Sequence, residues 1–484
     1  MSTHKNKASV TLSTLIKKIR YLEEITRPIN PKAMEAINRR WKELPNHVKT
    51  DSQTLGKVGV GCEGTHGVFP KCNFACSPCY HSEDANKVKI DGKHTIEQVK
   101  SQMEYLYRKR SSYAHAQLIG GEVTLLDPHD HARALEVMRS FGREPMSFTH
   151  GDFDYDYLKK LVTQEDGKRR FKRISFAGHF DSTMVGRRGQ RRVSKEEEID
   201  PYRQQFCEMF NKLKKEMHVK FYLAHNMTVT PQNVDQISGV IARCKSMGFN
   251  MFSFQPAAYV GDERRWKEDY GSLDPDYIWH QIEIGIGTNL PYHDFEVGDV
   301  RCNRSAWGVL VGDQWHPFID ITDKRDREVR DFYLNNMGGF HFNIPLKLLI
   351  PRLIRFTIKY PKLIPLAVKY AIRFVNRLGG IVVIVKNRIT PFTVVMHRFM
   401  HAEDVLPAYE LLKRNELSSD LRIRETQERL LACSYAMAHP ESDEIVPACV
   451  QHSLLDPVEN KILAQSLPLP TKRKVNQLTN FKNV

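Results

Sequence analysis

An α/β architecture, in which short strands alternate with helices around a parallel sheet, is the fold class this chain of 484 residues predicts. Three observations predict it. Six β-rich runs are spaced between about 55 and 260, helical periodicity fills the gaps between them, and 41% hydrophobic residues with no long polar tract suit a large core. The runs are KVGVG (57–61), AQLIGG (116–121), MSFTHG (146–151), RISFAG (173–178), KFYLAHNMTV (220–229) and MFSFQPAA (251–258).

Three helices in the gaps carry an apolar face. Ile96, Val99, Met103 and Leu106 share a face, behind Thr95 and Gln98 in capping-box spacing. Phe206, Phe210, Leu213 and Met217 form a second. Val234, Ile237, Ile241 and Cys244 form a third, with Gly248 as its stop signal. The segment SAWGVLVGDQWHPFID predicts a hairpin turning at Gly312 and Asp313, and IVVIV and PFTVVMH predict two further strands.

Composition divides the chain into a helical, basic N-terminal cap (1–54), a βα region (55–330), a basic apolar segment (331–400) and a more balanced helical tail (401–484). The formal charge is +15, and between Asp331 and Glu403 there are eleven Lys and Arg and no acidic residue. A local cationic excess mixed with Leu, Ile, Val and Phe points to an anionic, partly apolar partner such as a membrane surface. Arg352, Arg355, Lys359, Lys362, Lys369, Arg373 and Arg377 recur at helical spacing as a cationic stripe, and Pro351, Pro361 and Pro365 break it into short amphipathic helices. A helix packed on the βα region or a nucleic-acid groove would also carry such charge, although few aromatics are interleaved for base stacking. No run approaches the ~18 apolar residues of a membrane span, and MSTHKNKASVTL lacks the apolar centre of a secretion signal, so a cytoplasmic protein, peripheral on the membrane's cytoplasmic face, is expected.

Nine cysteines are too few for a disulfide scaffold. Cys72, Cys76 and Cys79 stand as C-x3-C-x2-C just after the first predicted strand, whereas Cys207 and Cys244 lie on apolar helix faces and read as small buried hydrophobes. Three thiolates on one loop hold three irons of a cubane cluster and leave the fourth open to an exchangeable ligand. A zinc site completed by His81 or a distant cysteine is the alternative.

The thiol trio after strand one, with Gly120-Gly121-Glu122 ending strand two, resembles the radical S-adenosylmethionine (radical SAM) superfamily. The resemblance covers about 57–260. It implies a partial (β/α)6 barrel of the TIM type, here with the N-terminal helical cap and a C-terminal α/β extension, and an active site at the strand C-termini. It further implies a 4Fe-4S cluster on Cys72, Cys76 and Cys79, with SAM chelating the open iron. Gly120 and Gly121 would admit the backbone and Glu122 would accept from the SAM ammonium. Thr149-His150-Gly151 stands where many members have Thr-Asn-Gly, Ser175 near Gly178 resembles the ribose-contacting element, and Arg188 resembles the arginine that pairs the SAM carboxylate. Asn226, Thr228 and Gln255 are polar groups at the same strand ends. Pro78 replaces the usual aromatic before the third cysteine, and Tyr80 is the candidate substitute.

FTVVMHRFMHAED and ERLLACSYAMAHPESDEIVPACVQH are similar to the C-terminal part of radical SAM enzymes of the tetraether-lipid synthase type. That similarity implies an auxiliary iron–sulfur cluster or iron on Cys433 and Cys449, completed by Cys302, Cys62 or His452. The activity it implies is hydrogen abstraction from an unactivated C–H of a membrane lipid chain, with a flavodoxin- or ferredoxin-like reductant. Radical modification of a peptide or RNA is the alternative.

Overall fold

The computed structural model describes Lys42 and residues 62–470, apart from 111–113, 191–192, 268–269, 293–297, 338–345, 388 and 434. The cap expected over 1–54, except Lys42, and the strand expected at 57–61 lie outside the described residues. The strand preceding the cysteine loop is β1, Glu63–Gly64.

The five remaining predicted runs form β2 (Ala114–Leu118), β3 (Arg143–Thr149), β4 (Arg173–His179), β5 (Lys220–Val229) and β6 (Met251–Pro256). The hairpin forms as β7 (Asn303–Val311) and β8 (Gln314–Pro317), and PFTVVMH lies in β9 (Ile389–His397). The tail adds β10 (Ala436–His439) and β11 (Glu444–Pro447). All join one sheet in the order β11-β10-β1-β2-β3-β4-β5-β6-β9-β7-β8. From β10 through β9 every pairing is parallel; β7, β8 and β11 are antiparallel edges. Chain beyond residue 330 thus extends both ends of the sheet, with β9 beside β6 and β10 beside β1.

Alternate residues of β2 through β6, β9 and β7 line one cavity of about 730 Å³. A flat sheet cannot aim seven strands at one volume, so this sheet curls into an open barrel. The outer faces of the strands are covered by helices α1 (Gly92–Arg110), α2 (Pro128–Ser140), α3 (Tyr155–Val162), α4 (Asp200–Met217), α5 (Ile237–Cys244) and α6 (Pro275–Ile286). Val99, Met103, Leu106, Phe206, Phe210, Leu213, Ile237, Ile241 and Cys244 are fully buried, as their periodicity predicts. Phe206 and Phe210 pack with tilted rings, centroids 5.0 Å apart, beside Phe176 and Phe180, the burial of each side chain contributing roughly 1.5–3 kcal/mol.

Three local expectations need correction. α1 begins at Gly92, where Asp91 caps it by accepting from His94 N at 3.0 Å; Thr95 is already helical and donates to the carbonyls of Val68 and Asp91. IVVIV is not a strand but helix α10 (Ile381–Lys386), held by Val383 and Ile384 packing beside Val309, Val311 and Leu378. Pro351 does not break the basic segment: it lies inside the helix Leu346–Lys359.

That segment forms α8 (Leu346–Lys359), α9 (Leu363–Arg377) and α10, docked behind α7 (Lys324–Met337) and the end of β7. The cationic stripe is not free. Arg352 is buried, and Arg373 and Arg377 both pair with buried Asp326 on α7, at 2.9 and 2.8 Å. The face turned outward is apolar instead: Ile350, Ile354, Ile358, Ile364, Val368, Ile372, Ile381, Val382 and Val385 are 52–78% exposed. Exposed Lys359, Lys362, Lys369 and Lys386 remain around it. Among the described residues no helix is long and apolar enough to cross a membrane.

The tail continues with α11 (Ala402–Lys413) and α12 (Leu421–Leu431). After β11 a turn at Ala448–Val450 runs through π-helical Gln451–Leu455 into α13 (Asp456–Ser466).

Candidate active site

The loop from β1 to α1 carries Cys72, Cys76 and Cys79 to the C-terminal edge of the parallel strands, where all three line the cavity. It is anchored on several sides. Cys72 N donates to Asn86 Oδ1 at 3.0 Å, Ala75 N donates to the Val185 carbonyl at 2.8 Å, and the Ser77 hydroxyl meets Tyr270 Oη at 2.8 Å. Burial is the main force pushing all three thiols up, Cys72 to about 12, and repulsion from Cys79 adds to it at Cys72 and Cys76. As free groups they hold their protons, and only a bound metal would remove them. Three sulfur donors on one loop are the donor set that suits an iron–sulfur cluster.

Gly120 and Gly121 serve this loop directly. A Cβ on Gly121 would lie 2.2 Å from the Lys71 carbonyl oxygen, and one on Gly120 would strike Phe69 at 2.6 Å. Gly121 N and Glu122 N donate to the carbonyls of Phe69 and Lys71, so the two loops zip together by backbone hydrogen bonds. Glu122 is buried, and its carboxylate accepts from Thr124 N, Thr124 Oγ1, Thr149 Oγ1 and His150 N at 2.6–2.9 Å. The carboxylate is thus engaged by the protein and ties β2 to the end of β3, which departs from a group held ready for a ligand ammonium.

His150 stacks on Phe74 at 3.8 Å, and its Nε2 donates to Asn73 Oδ1 at 2.8 Å. Burial holds its pKa below the usual imidazole value, so the ring is neutral. Beyond it, Tyr80 Oη donates to Gln255 Oε1 at 2.9 Å, and its ring packs against Phe399 and His452. Ser175, Asn226, Thr228 and Gln255 line the cavity from β4, β5 and β6. Asp181, just past β4, accepts from His179 Nε2 at 2.6 Å and Thr228 N at 2.8 Å.

Arg188 is a correction. Asp152 and Asp154 hold it on the surface, with its Nε 3.0 Å from Asp152 Oδ1, and it is not among the residues lining the cavity. Its neighbour Arg187 is the buried one, stacked between Phe74, Phe180 and Tyr202 and donating to the His150 carbonyl at 2.7 Å. The Arg-rich loop offered no way to choose between adjacent arginines by pattern.

The tail supplies the opposite wall. Cys302, Cys433 and Cys449 line the same cavity, with Cys62 and His452 beside them. Burial raises the Cys449 thiol, and the nearness of Cys433 and Cys302 raises it further. Arg429 on α12 donates from Nε to Cys302 Sγ at 3.2 Å, and Cys433 Sγ donates to the Tyr435 carbonyl at 3.0 Å. His452 offers Nδ1 to Asp456 at 2.7 Å, a carboxylate–histidine pair of the kind that orients a ring toward a metal. Arg429 and Asp456 carry no sequence signal of their own; only folding brings them to the thiols.

The cavity spans the barrel. From the thiols it passes Met146, Phe148, Ala224 and Val395 to Trp307 and Thr393 at mid-strand and to Met251, Tyr222 and Arg173 near the starts of their strands. β7 runs from Cys302 at the thiol end toward Val311, where α9 and α10 dock.

No family model matches the chain, and no curated protein matches it. Solved structures to which it is similar include anSMEcpe with bound AdoMet (18% identity, TM-score 0.32, 46% of this chain and 57% of that one). SuiB of Streptococcus suis is similar at 14% identity and TM-score 0.28, over 44% of this chain and 41% of that one. A spore photoproduct lyase with dinucleoside spore photoproduct is similar at 13% identity and TM-score 0.26, over 61% of this chain and 79% of that one. The chain thus spans about half the length of the first two structures.

Proposed function

We propose that this chain is a radical SAM enzyme in which Cys72, Cys76 and Cys79 hold a 4Fe-4S cluster with SAM on its remaining iron, and that its substrate is the aliphatic chain of a membrane lipid. The observation that carries the first part is the seating of three half-buried thiols of one loop at the mouth of a large cavity on the C-terminal edge of a parallel sheet. When bound, cluster and SAM together supply a 5′-deoxyadenosyl radical that takes hydrogen from an unactivated C–H.

The protein's own residues do the rest. The Gly121–Lys71 zipper fixes the loop that presents Cys72. Tyr80 and Gln255, joined by their hydrogen bond, form a polar ledge beside the trio where a nucleoside would rest, and Ser175 and Asn226 offer hydroxyl and amide groups deeper in. Buried aromatic and aliphatic walls exclude water from a reactive radical. Cys302, Cys433 and Cys449 are the proposed ligands of an auxiliary cluster or iron, with Arg429 balancing their negative charge.

Support for a lipid chain comes from the outward apolar face of α8–α10 with its lysine rim, which suits insertion among anionic headgroups. It docks near the cavity end remote from the thiols, so a chain rising from the membrane would have an apolar route toward the trio. A reductant of the flavodoxin or ferredoxin type is the proposed electron source.

The test is anaerobic reconstitution, iron counting, and assay of 5′-deoxyadenosine with dithionite, with and without anionic lipid extract. Deoxyadenosine that rises with lipid and disappears in Cys72→Ala is expected. Deoxyadenosine unchanged in Cys72→Ala would remove the site assignment. A rise with peptide or RNA but none with lipid would move the substrate to those classes.

A further inference from the structure

His66 follows β1, His439 closes β10, and Glu459 stands on α13; their ligand atoms lie within 4.8 Å of one another. The two imidazole rings stack at 4.0 Å, and both histidines are buried. What surrounds them fixes where their protons are.

His66 Nε2 lies 2.8 Å from the Ala438 carbonyl oxygen, which only accepts, so Nε2 carries the proton. His439 Nε2 lies 2.5 Å from Gln451 Oε1. The Gln451 amide cannot be turned round, because its Nε2 donates to Asp456 Oδ1 at 2.8 Å and to Glu459 Oε2 at 3.2 Å. His439 Nε2 is therefore also the protonated nitrogen. In neutral rings both Nδ1 atoms then carry bare lone pairs, and both face carboxylates. His66 Nδ1 is 3.0 Å from Glu459 Oε2, and His439 Nδ1 is 3.8 Å from Glu459 Oε1 and 2.9 Å from Glu441 Oε1.

Two Nδ1 lone pairs and two carboxylates converge, and the amide donor beside them, Gln451 Nε2, reaches Glu459 Oε2 and neither Nδ1. One divalent cation would engage both lone pairs and the Glu459 carboxylate at once. We infer that His66, His439 and Glu459 form a binding site for a divalent first-row metal of the zinc type. Ligands about 2.0–2.1 Å from a tetrahedral ion stand about 3.3 Å apart, and here the three ligand atoms lie within 4.8 Å, His66 Nδ1 and Glu459 Oε2 being 3.0 Å apart. The Nε2–H bonds to a carbonyl and an amide oxygen are the outer contacts that orient metal-binding histidines. The site is separate from the cysteine trio and joins β1, β10 and α13, so it would clamp the tail that carries Cys433 and Cys449 onto the barrel.

The test uses the full chain, reconstituted anaerobically, equilibrated with zinc alone, passed over a chelating resin and analysed for zinc and iron together. About one zinc per chain with a nitrogen/oxygen shell by X-ray absorption is expected, and it persists in Cys72→Ala/Cys76→Ala/Cys79→Ala. His66→Gln should lose it. Glu459→Gln, which keeps the shape and removes the charge, should weaken zinc at least about tenfold in chelator competition while iron content stays constant. A wild-type chain that retains no zinc, or zinc with sulfur in its shell, would overturn the proposal. Because the wild-type count and spectrum decide it, a variant that fails to fold does not shelter it.

Discussion

Gly121 and Lys71 approach so closely that a Cβ on the glycine would stand 2.2 Å from the lysine carbonyl oxygen. The glycine pair is thus needed for contact between two protein loops. Gly121→Ala should push the Cys72 loop away and at least halve iron uptake on reconstitution, with the far-ultraviolet circular dichroism unchanged. Gly167→Ala is the contrast: nothing lies within 4 Å, and its positive φ adds only about 1–2 kcal/mol of strain. Equal iron uptake in both variants would remove the loop-contact account.

Tyr80 and Gln255 share one hydrogen bond across the cavity mouth. Tyr80→Phe removes the donor and leaves the amide oxygen of Gln255 without it, worth about 1–3 kcal/mol. The expected outcome is SAM binding weakened about tenfold with iron content preserved, read by equilibrium dialysis. Loss of iron as well would make Tyr80 a support of the thiol loop instead.

Glu63 and Arg143 form a fully buried ion pair, Nε to Oε2 at 2.9 Å, that holds β1 against the start of β3. Arg143→Met strands a buried carboxylate and should cost about 3–5 kcal/mol in chemical denaturation. Glu63→Gln combined with Arg143→Met should recover part of that loss, since no unpaired charge remains. A single variant as stable as the parent would contradict the pairing.

Burial opposes the Asp181 charge, but His179, Thr183 and Thr228 outweigh it and hold the group at about 2. A folded pKa below the unfolded one means stability that is complete above about pH 4 and is lost as pH falls toward 2. The contribution is on the order of 2 kcal/mol. Asp181→Asn should flatten the acid limb of the stability–pH curve in that window; an unchanged limb would assign it to other carboxylates.

Ile354, Ile358 and Ile364 are exposed on α8 and α9. Ile354→Glu/Ile358→Glu/Ile364→Glu should abolish co-sedimentation with anionic vesicles without lowering the melting temperature, because these side chains leave no core. Lys359→Gln/Lys362→Gln should reduce only the salt-sensitive part. Vesicle binding indifferent to both sets would remove the membrane role of this face.

Helix faces were legible because Val99, Met103 and Leu106, or Phe206 and Phe210, need only the 3.6-residue repeat to find the core. The thiol trio was visible in the sequence because its three cysteines are neighbours in the chain. IVVIV was misread because a short run of β-branched residues carries no period, and packing against Val309 and Val311 made it helical. The cationic stripe was misread because the acidic partner, Asp326, is some fifty residues away from the arginines it neutralises.

By itself the sequence determined the βα order, the thiol trio with its glycine-rich companion, and the uneven charge, all of which are local in the chain. Only the tertiary structure decided that β9 and β10 flank the barrel, that Arg187 rather than Arg188 is buried, and that Cys302, Cys433 and Cys449 face the trio across one cavity. It alone brought His66 to His439 and Glu459. The physical reason is the same throughout: spacing along a chain sets which side chains share a face of one element, whereas the curl of a sheet sets which elements share a space.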